Sequence, residues 1–329
     1  MLDAHQLNIF LVASETLNFT QAAQLLHMSQ PSVSQHIKSL EQHFGVALFE
    51  RTGRQLRLSD AGEALLPLAR EMVNQSIRIE EEMVSLHGEV FGHLRVGCST
   101  TPGKYVLPQL LARFHHQHPM VKVTCQVSPQ ANAIEMLCEG RIHFALSSHS
   151  HDQSCTDAEF HLFLRDPVML IAPLDHPWSQ RGEIAPEELL EENFILREEE
   201  SGTFATVKDA LHGIGLSVYE LNTLLTLGNS EAIALAVQEG LGVGFVSNTV
   251  VNGMRQPNIA VISVRGLEIS RDIYIGQYIG RPATVAQAAF WKMIKNLQPD
   301  AICGPGAGIL AFDRPNTLFP PEYTNFYVK

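Results

Sequence analysis

The stretch FTQAAQLLHMSQPSVSQHIKSLEQHFGVALFERTGRQLRLSDAG, from Phe19 to Gly62, decides the fold of the front of this chain. Thr20 can cap a helix that runs through Leu26, and Ser29 can cap a further helix with Pro31 in its first turn. An amphipathic helix bearing Leu7, Phe10, Leu11 and Leu17 precedes them, capped by Asp3. The pattern predicts helix, tight turn and helix.

The helix after Ser29 has two different sides. Val33, Ile37, Leu40 and Phe44 recur at helical spacing and are expected to face the core. The opposite side carries short or flexible hydrogen-bonding side chains, which a helix in the major groove of DNA needs to reach bases and phosphates. Taken alone, this side is equally consistent with an ordinary solvated surface. The polar residues of this side are Gln30, Ser32, Ser34, Gln35 and Lys38.

A basic hairpin favours the DNA-binding interpretation. Val46 to Phe49 and Gln55 to Leu58 are predicted as short strands joined by a turn at Thr52 and Gly53, with Arg51 and Arg54 at the tip. Such a hairpin contacts phosphates beside the recognition helix and makes binding depend on salt. The predicted DNA-binding residues are Thr20, Gln30, Pro31, Ser32, Ser34, Gln35, Lys38, Arg51 and Arg54.

Length and composition set the wider frame. The 329 residues imply about two domains, and 45% apolar with 18% charged residues indicate a folded globular protein. The net charge of -12 lies downstream of Leu58, because residues 1–58 hold four basic and four acidic side chains. The first twenty residues lack a secretory signal and no apolar run is long enough to span a bilayer, so a cytoplasmic location is expected.

A long helix is predicted from Asp60, capped by Ser59, to about His87. Its apolar positions follow spacings near those of a coiled-coil seam, and at 1.5 Å per residue it is roughly 40 Å long. Pairing with a second copy explains this length better than packing on its own body, although Ser76 interrupts the seam. The seam positions are Ala61, Leu65, Leu68, Met72, Ser76, Ile79, Met83 and Leu86.

Behind Gly92, strand-like runs alternate with helical ones in two successive units, which predicts parallel sheets with crossover helices. The crossings between the two α/β lobes are expected near Phe160 to Asp166 and Ser270 to Gly276, with a returning helix over Ala283 to Leu297. Small hydroxyl residues follow the strands or precede helices, where ligands of open α/β sheets bind. Converging hydroxyls and backbone N–H groups suit a carboxylate or phosphate, although each residue alone is equally a helix cap. The predicted effector-binding residues are Ser99, Thr100, Thr101, Ser128, Ser147, Ser201, Gly202, Thr203 and Asn229.

Phe19 to Gly62 closely resembles the DNA-binding segment of the LysR-type transcriptional regulators, and the resemblance continues to about Leu297. It implies a winged helix-turn-helix, a dimerising linker helix and a two-lobed effector domain similar to periplasmic solute-binding proteins. VGCSTTPGKYVLPQLLARFHHQHP and LGNSEAIALAVQEGLGVGFVS resemble the branch that regulates carbon-fixation operons. Many family members carry Arg near the position of Gln35, so the resemblance implies the docking mode but does not decide which bases are read here.

The expected fold is therefore α/β with an N-terminal all-α winged helix-turn-helix, a long linker helix and two Rossmann-like lobes. The expected segments are a DNA-binding domain (1–59), a linker (60–89), an effector domain (90–297) and a tail (298–329) without assigned function. Lobe I takes about 90–163 and 270–297, and lobe II about 164–269. The expected partners are double-stranded operator DNA, a small anionic metabolite, a second copy in a homodimer or homotetramer, and RNA polymerase, with no membrane.

Other chemistries find little support in the sequence. The five cysteines include no C-x-x-C pair, so reduced structural thiols are expected, and a switch between Cys138 and Cys155 is not favoured. His115, His116, His118, His149 and His151 lack carboxylate or thiolate partners at metal-ligand spacing, so no metal site is expected. We expect no cofactor and no catalytic residue. Two alternatives to a DNA-binding regulator remain. One is a solute carrier that uses the lobes without binding DNA, and the other is an enzyme with its active site in the cleft.

Overall fold

The computed structural model describes residues 2–53, 55–86, 88–148, 155–254 and 258–297. The predicted DNA contact Arg54 and the tail 298–329 lie outside the described residues. The front half consists of three helices, a hairpin and a long helix. These elements are α1 (Ala4–Thr16), α2 (Phe19–Leu25), α3 (Gln30–Phe44), β1 (Phe49–Thr52), β2 (Gln55–Leu58) and α4 (Asp60–Ser85).

Helices α1 to α3 pack around one apolar cluster that includes Phe10, Ala22, Val33 and Ile37. Helix α2 begins two residues earlier than predicted, because Asn18 and not Thr20 is its cap: the Asn18 side chain accepts hydrogen bonds from the amides of Thr20 and Gln21. Gly45 ends α3 with φ +72°, a conformation that favours glycine. The predicted helix-turn-helix is confirmed.

The first strand of the hairpin lies later than predicted. Strand β1 spans Phe49–Thr52, so the expected strand Val46 to Phe49 is wrong for most of its length. The cause is Glu41 of α3, whose Oε1 accepts the amides of Leu48 at 2.8 Å and Phe49 at 3.3 Å. That carboxylate satisfies backbone donors that a strand partner would otherwise bind. Arg51 therefore lies within β1, and Gly53 makes the turn with φ +65°.

Helix α4 extends over 26 residues with Pro67 inside it, and ends slightly before the predicted His87, which is not among the described residues. Its first turns pack on the helix-turn-helix core through Ala69 and Val73. The same part of the helix also contacts the next domain, where Arg70 lies 3.7 Å from Glu139. Several seam side chains remain exposed to solvent: Leu68, Met72, Ile79, Met83 and Leu86.

The rear half is a ten-stranded sheet in the order β4-β3-β5-β12-β6-β10-β8-β9, with β11 paired to β6 and β7 paired to β11. Strand β3 pairs in parallel with β4 and β5, and β8 with β9 and β10, as the alternation predicted. In contrast, β12 is antiparallel to β5 and β6, and β6 is antiparallel to β10 and β11. The elements of lobe I are β3 (Gly92–Cys98), a π-helical turn (Pro102–Val106), α5 (Leu107–Gln117), β4 (Val121–Val127), α6 (Gln130–Cys138), β5 (Phe144–Ser147), β12 (Ser270–Tyr278) and α11 (Val285–Lys295). The elements of lobe II are α7 (Pro177–Arg181), β7 (Glu183–Ile184), β8 (Asn193–Arg197), α8 (Gly202–Gly213), β9 (Asn222–Leu227), α9 (Ser230–Gln238), β10 (Val243–Ser247), α10 (Asn248–Gly253) and β11 (Ile259–Val264).

Strand β6 (Ala158–Pro173) belongs to both lobes. Its first part pairs with β12, and residues from Val168 onward pair with β10 and β11. The predicted crossing segments are thus confirmed as β6 and β12. Each lobe keeps its own apolar core, with Phe114 and Phe290 in lobe I and Phe194 and Phe245 in lobe II. Among the described helices, none has the length and apolar character needed to cross a membrane.

The cysteine prediction is partly wrong. Cys138, the last residue of α6, forms a disulfide bond with Cys155, and their Cα atoms lie 5.7 Å apart. The helix end and the chain entering β6 meet in the fold, which sequence spacing does not show. Cys98 and Cys125 are free thiols on neighbouring strands, with their Sγ atoms 3.3 Å apart. Hydrogen bonding and burial raise the pKa of Cys98, while the hydrogen bond from Cys98 lowers the pKa of Cys125.

Candidate functional site

The polar side of α3 faces solvent while its apolar side is buried. Val33, Ile37 and Leu40 are at most 3% exposed, as the helical spacing predicted, whereas Phe44 at the end of the helix was wrongly expected in the core and is 39% exposed. On the opposite side Gln30, Pro31, Gln35 and Lys38 are exposed, and Ser32 and Ser34 are half-buried. The Gln30 amide donates to Ser34 Oγ at 2.8 Å, so one pair of polar side chains is already ordered on this face.

The hairpin next to α3 adds an exposed arginine that is not neutralised by a described acidic residue. Arg51 on β1 is exposed and makes no ion pair with the described residues, whereas Arg57 on β2 pairs with Glu50 at 2.8 Å. Thr20 is exposed near the start of α2. Together these side chains form a surface able to contact DNA phosphates and base edges. We call it the α3–hairpin surface.

A narrow cleft separates the two lobes at the carboxyl ends of β3 and β5. Its floor and walls include predicted residues Ser99 and Ser147, and the amino end of α8 lies opposite. The close approach of the lobes is visible at Gly202, where an added Cβ would lie 2.6 Å from Ser148 Oγ of lobe I. The cavity residues are Ser99, Pro102, Gln130, Leu146, Ser147, Ser148, Arg271 and Ile273.

The structure gives the other predicted residues different roles. Ser201 caps α8 by accepting from the Thr203 amide, and Asn229 caps α9 by accepting from the Ala232 amide. Thr203 Oγ1 accepts a hydrogen bond from Arg271 at 2.9 Å. The Ser128 hydroxyl is buried and has no hydrogen-bond partner among the described residues.

Thr100 and Thr101 follow β3 directly and differ in exposure. Thr100 is exposed, and Thr101 is 7% exposed where it precedes the π-helical turn. A π-helical turn is uncommon and occurs frequently at functional sites. It brings Pro102 to the cleft, and Tyr105 next to Gly253 of lobe II.

Sequence reasoning missed the charged residue at the cleft, Arg271. It is 6% exposed and donates to Asp166 Oδ2 at 2.6 Å. Asp166 is fully buried and also accepts from Ser247 and Thr249, so the cation is neutralised by a well-bonded carboxylate. Gln130 was missed as well, and its side chain accepts from the Ser148 amide at 2.9 Å. The sequence signal that could have identified Arg271 is its position in the predicted crossing segment, which lies between the two lobes.

At the mouth of the cleft, Lys104 of lobe I forms an ion pair with Glu231 of lobe II. The hydrogen bond with Glu231 raises the pKa of Lys104, and burial raises the pKa of Tyr105 beside it. The cavity between the lobes is about 10 Å³. That volume is close to what one water molecule needs, so a metabolite can enter only if the lobes move apart.

Known proteins share both halves of this structure. Residues 4–63 match the family described as bacterial regulatory helix-turn-helix protein, lysR family, and residues 87–298 match the LysR substrate binding domain. The HTH-type transcriptional activator CmpR of Synechocystis sp. is 32% identical over 82% of this chain and 88% of its own length. The RuBisCO operon transcriptional regulator of Allochromatium vinosum is 30% identical over 88% of this chain and 94% of its own.

One similar protein has been solved with a ligand bound to its regulatory domain. The Synechocystis CcmR regulatory domain, solved in complex with 2-PG, is 25% identical, with a TM-score of 0.56. The match covers 61% of this chain and 95% of that domain. With an exposed polar helix beside a hairpin, a linker helix and two lobes around a cleft, this chain belongs to the LysR family of bacterial helix-turn-helix transcriptional regulators.

Proposed function

We propose that this regulator binds operator DNA through its α3–hairpin surface and that a small anionic metabolite in the cleft changes how the DNA is held. The DNA-binding part of this proposal is supported by one observation: helix α3 has a buried apolar side and an exposed side with Gln35 and Lys38. The proposed DNA contacts are Thr20, Gln30, Pro31, Ser32, Ser34, Gln35, Lys38, Arg51 and Arg54.

DNA binding is tested with the full-length protein and an operator selected from a random duplex library. Anisotropy titrations across a range of KCl concentrations should show affinity that falls with salt. Lys38→Ala or Arg51→Ala should weaken binding to all sequences and reduce the salt slope by about one. Gln35→Ala should instead relax the preference among operator sequences. Lys208→Ala, in lobe II, is the control and should bind DNA as the wild type does. Binding that does not depend on salt would contradict the proposal.

The effector half of the proposal rests on the cleft. Hydroxyl groups of Ser99 and Ser147 lie there near the amino end of α8, whose backbone dipole favours negative charge. Arg271 is balanced by Asp166, so we expect one anionic group to be recognised by hydroxyls and amides more than by a free cation. That the CcmR regulatory domain binds 2-PG supports a small ligand for this chain too. The proposed effector contacts are Ser99, Thr100, Thr101, Ser128, Ser147, Ser201, Gly202, Thr203 and Asn229.

The effector is tested by thermal shift against a panel of phosphorylated and carboxylated metabolites that includes 2-PG. A ligand at 100 times its Kd stabilises the protein by about 2.7 kcal/mol. Gly202→Val should abolish the shift, because its Cβ would meet Ser148 Oγ at 2.6 Å. Gly213→Val, at the other end of α8 where a Cβ meets nothing within 4 Å, is the matched control and should respond normally. If Gly202→Val responds as well as the control, the ligand binds elsewhere.

The segment boundaries and assembly are part of the same proposal. We place the DNA-binding domain at 1–59, the linker at 60–89 and the effector domain at 90–297, with the tail 298–329 unassigned. We propose a homodimer or homotetramer paired through the exposed seam of α4, because two recognition helices then reach two half-sites. RNA polymerase is the further proposed partner, the cytoplasm the proposed location, and no step of this function requires catalysis by the protein.

A further inference from the structure

A second cavity lies far from the cleft, between the linker helix α4 and lobe I. Its volume is about 110 Å³, roughly ten times that of the cleft cavity. It is found near the amino ends of β3 and β5, whereas the cleft lies at their carboxyl ends. Its lining residues are Glu71, Asn74, Gln75, Ile77, Arg78, Glu81, His93, Arg95, His143, Arg281, Pro282, Thr284 and Gln287.

Three guanidinium groups from separate elements converge on this cavity: Arg78 of α4, Arg95 of β3 and Arg281 ahead of α11. Among the ion pairs formed by the described residues, none includes any of the three. The Nε atoms of Arg78 and Arg95 are buried without a hydrogen-bond acceptor in the described part of the chain. Arg281 lies 4.9 Å from the centre of the Tyr278 ring.

The neighbouring groups leave a positive charge in the cavity. Burial, followed by the nearby Arg95, lowers the pKa of His143 well below its ordinary value and also lowers that of His93, so both are neutral near pH 7. Three guanidinium groups against the carboxylates of Glu71 and Glu81 then leave a surplus of one positive charge. Burial and repulsion from Arg281 lower the pKa of Arg95, which an anion between the two would relieve.

Glu81 adds an acceptor to these donors. Its Oε1 accepts from the His93 amide at 3.0 Å, but its Oε2 is buried and has no donor within the described residues. A ligand that satisfies the whole cavity must therefore offer acceptor oxygens to the arginines and one hydroxyl donor to Glu81. Monohydrogen phosphate and singly protonated phosphate esters have both, whereas sulfate near pH 7 has no hydroxyl.

We propose that this cavity is a second ligand site, separate from the cleft, that binds a small oxyanion bearing a hydroxyl group, of the phosphate class. The ligand bridges α4 and β3 and so holds the linker helix against lobe I. Two hydrogen bonds already join the linker helix to lobe I: Asn74 donates to the Gly140 carbonyl oxygen at 3.3 Å and accepts from Arg95 at 3.3 Å. Strand β3 continues from Arg95 to Cys98, next to Ser99 at the cleft, so one strand connects the two sites.

The first test is calorimetric titration of the full-length protein with inorganic phosphate, and separately with sulfate, at low ionic strength and pH 7. We expect phosphate to bind at least tenfold more tightly than sulfate. Arg281→Gln and Arg78→Gln should each weaken phosphate binding by tenfold or more. Arg265→Gln, an exposed arginine of lobe II, is the control and should leave binding unchanged. Glu81→Gln should remove the preference for phosphate over sulfate, because the glutamine amide can donate a hydrogen bond to a sulfate oxygen.

The second test locates the phosphate by hydrogen–deuterium exchange. Phosphate should protect backbone amides of 71–81 and 93–95 in the wild type and in Gly202→Val, which obstructs only the cleft. Arg78→Gln lies on the linker and provides an independent variant if Arg281→Gln fails to fold. The proposal is overturned if phosphate gives no such protection, if Gly202→Val loses binding while Arg281→Gln keeps it, or if sulfate binds as tightly as phosphate to the wild type.

Discussion

Asp166 holds together elements that are far apart in the chain. It accepts from the Ser247 hydroxyl, from the Thr249 hydroxyl and amide, and from Arg271, 105 residues away. Arg271 also donates to Thr203 at the start of α8, so the carboxylate fixes the position of one cleft wall. A buried ion pair contributes little net stability over an apolar pair, yet removing one partner leaves a buried charge uncompensated.

Asp166→Ala should therefore lower the free energy of unfolding by about 3–5 kcal/mol, because Arg271 remains buried without its counter-ion. Urea denaturation followed by circular dichroism measures the change. The double variant Asp166→Ala, Arg271→Met removes both charges and should recover part of the loss. A double variant less stable than the single one would contradict this account.

His143 should make stability depend on pH. Its Nδ1 accepts from the Arg95 amide at 3.2 Å, and its depressed pKa means that the folded protein resists protonation there. The stability it provides is complete above the unfolded pKa of about 6.5 and is lost as pH falls below that value towards the folded pKa. We expect a slope of up to about 1.4 kcal/mol per pH unit from this group.

The check is urea denaturation of the wild type, His143→Gln and His115→Gln between pH 7.5 and 5. His143→Gln should show a smaller decrease in stability with falling pH than the wild type. His115→Gln, on the exposed side of α5, should follow the wild type. Equal slopes for all three proteins would show that His143 does not contribute.

At the scale of elements, helix α4 has two different sides. One side is polar and lies against lobe I through Asn74 and Glu81. Another carries large apolar side chains in contact with solvent, with Leu68 63%, Ile79 52% and Met83 60% exposed. An exposed apolar stripe of this kind marks an interaction surface and matches the seam predicted from the spacing.

The double variant Ile79→Glu, Met83→Glu should convert the protein to monomers, because it places like charges in the seam of the proposed dimer. Sedimentation velocity would follow the change in mass. Ala64→Glu introduces the same charge at an exposed position of α4 outside the seam and should leave the assembly intact. The same mass for both proteins would exclude α4 as the pairing element.

Local sequence patterns predicted which helices and strands form. They did not predict where some of these elements begin. Apolar periodicity predicted α3 and the alternation of strands and helices, since those patterns repeat within each element. The start of β1 depends on the Glu41 carboxylate from another helix, and the cap of α2 on a choice between Asn18 and Thr20. The position of Arg271 next to Asp166, and the cavity near Arg95 and Arg281, follow from long-range packing that no short window contains.

At the scale of the whole molecule, two of the contacts between the lobes differ in kind. Lys104 and Glu231 form an exposed ion pair, which solvent weakens. Tyr105 packs on Gly253, where an added Cβ would lie 2.4 Å from ring carbons. The steric contact should therefore control closure more strongly than the charged one.

Accordingly, Lys104→Met should change effector affinity by less than about fivefold. Gly253→Val should weaken it by more, because the lobes cannot approach as closely around Tyr105. Gly228→Val, at a lobe II glycine where a Cβ meets nothing within 4 Å, is the matched control and should bind normally. Titration with the effector found by thermal shift gives the affinities, and the reverse order of the two effects would contradict the steric explanation.

The continuity of β6 has a mechanical consequence. This strand of 16 residues, about 50 Å long, runs from one lobe into the other without interruption. Rotation of one lobe against the other must twist this shared strand, which therefore acts as an elastic element between the lobes. The stored elastic energy then rises with the square of the angle, and the natural right-handed coil of the strand sets the resting position. Departure of a ligand thus leaves a restoring torque that returns the lobes to that position.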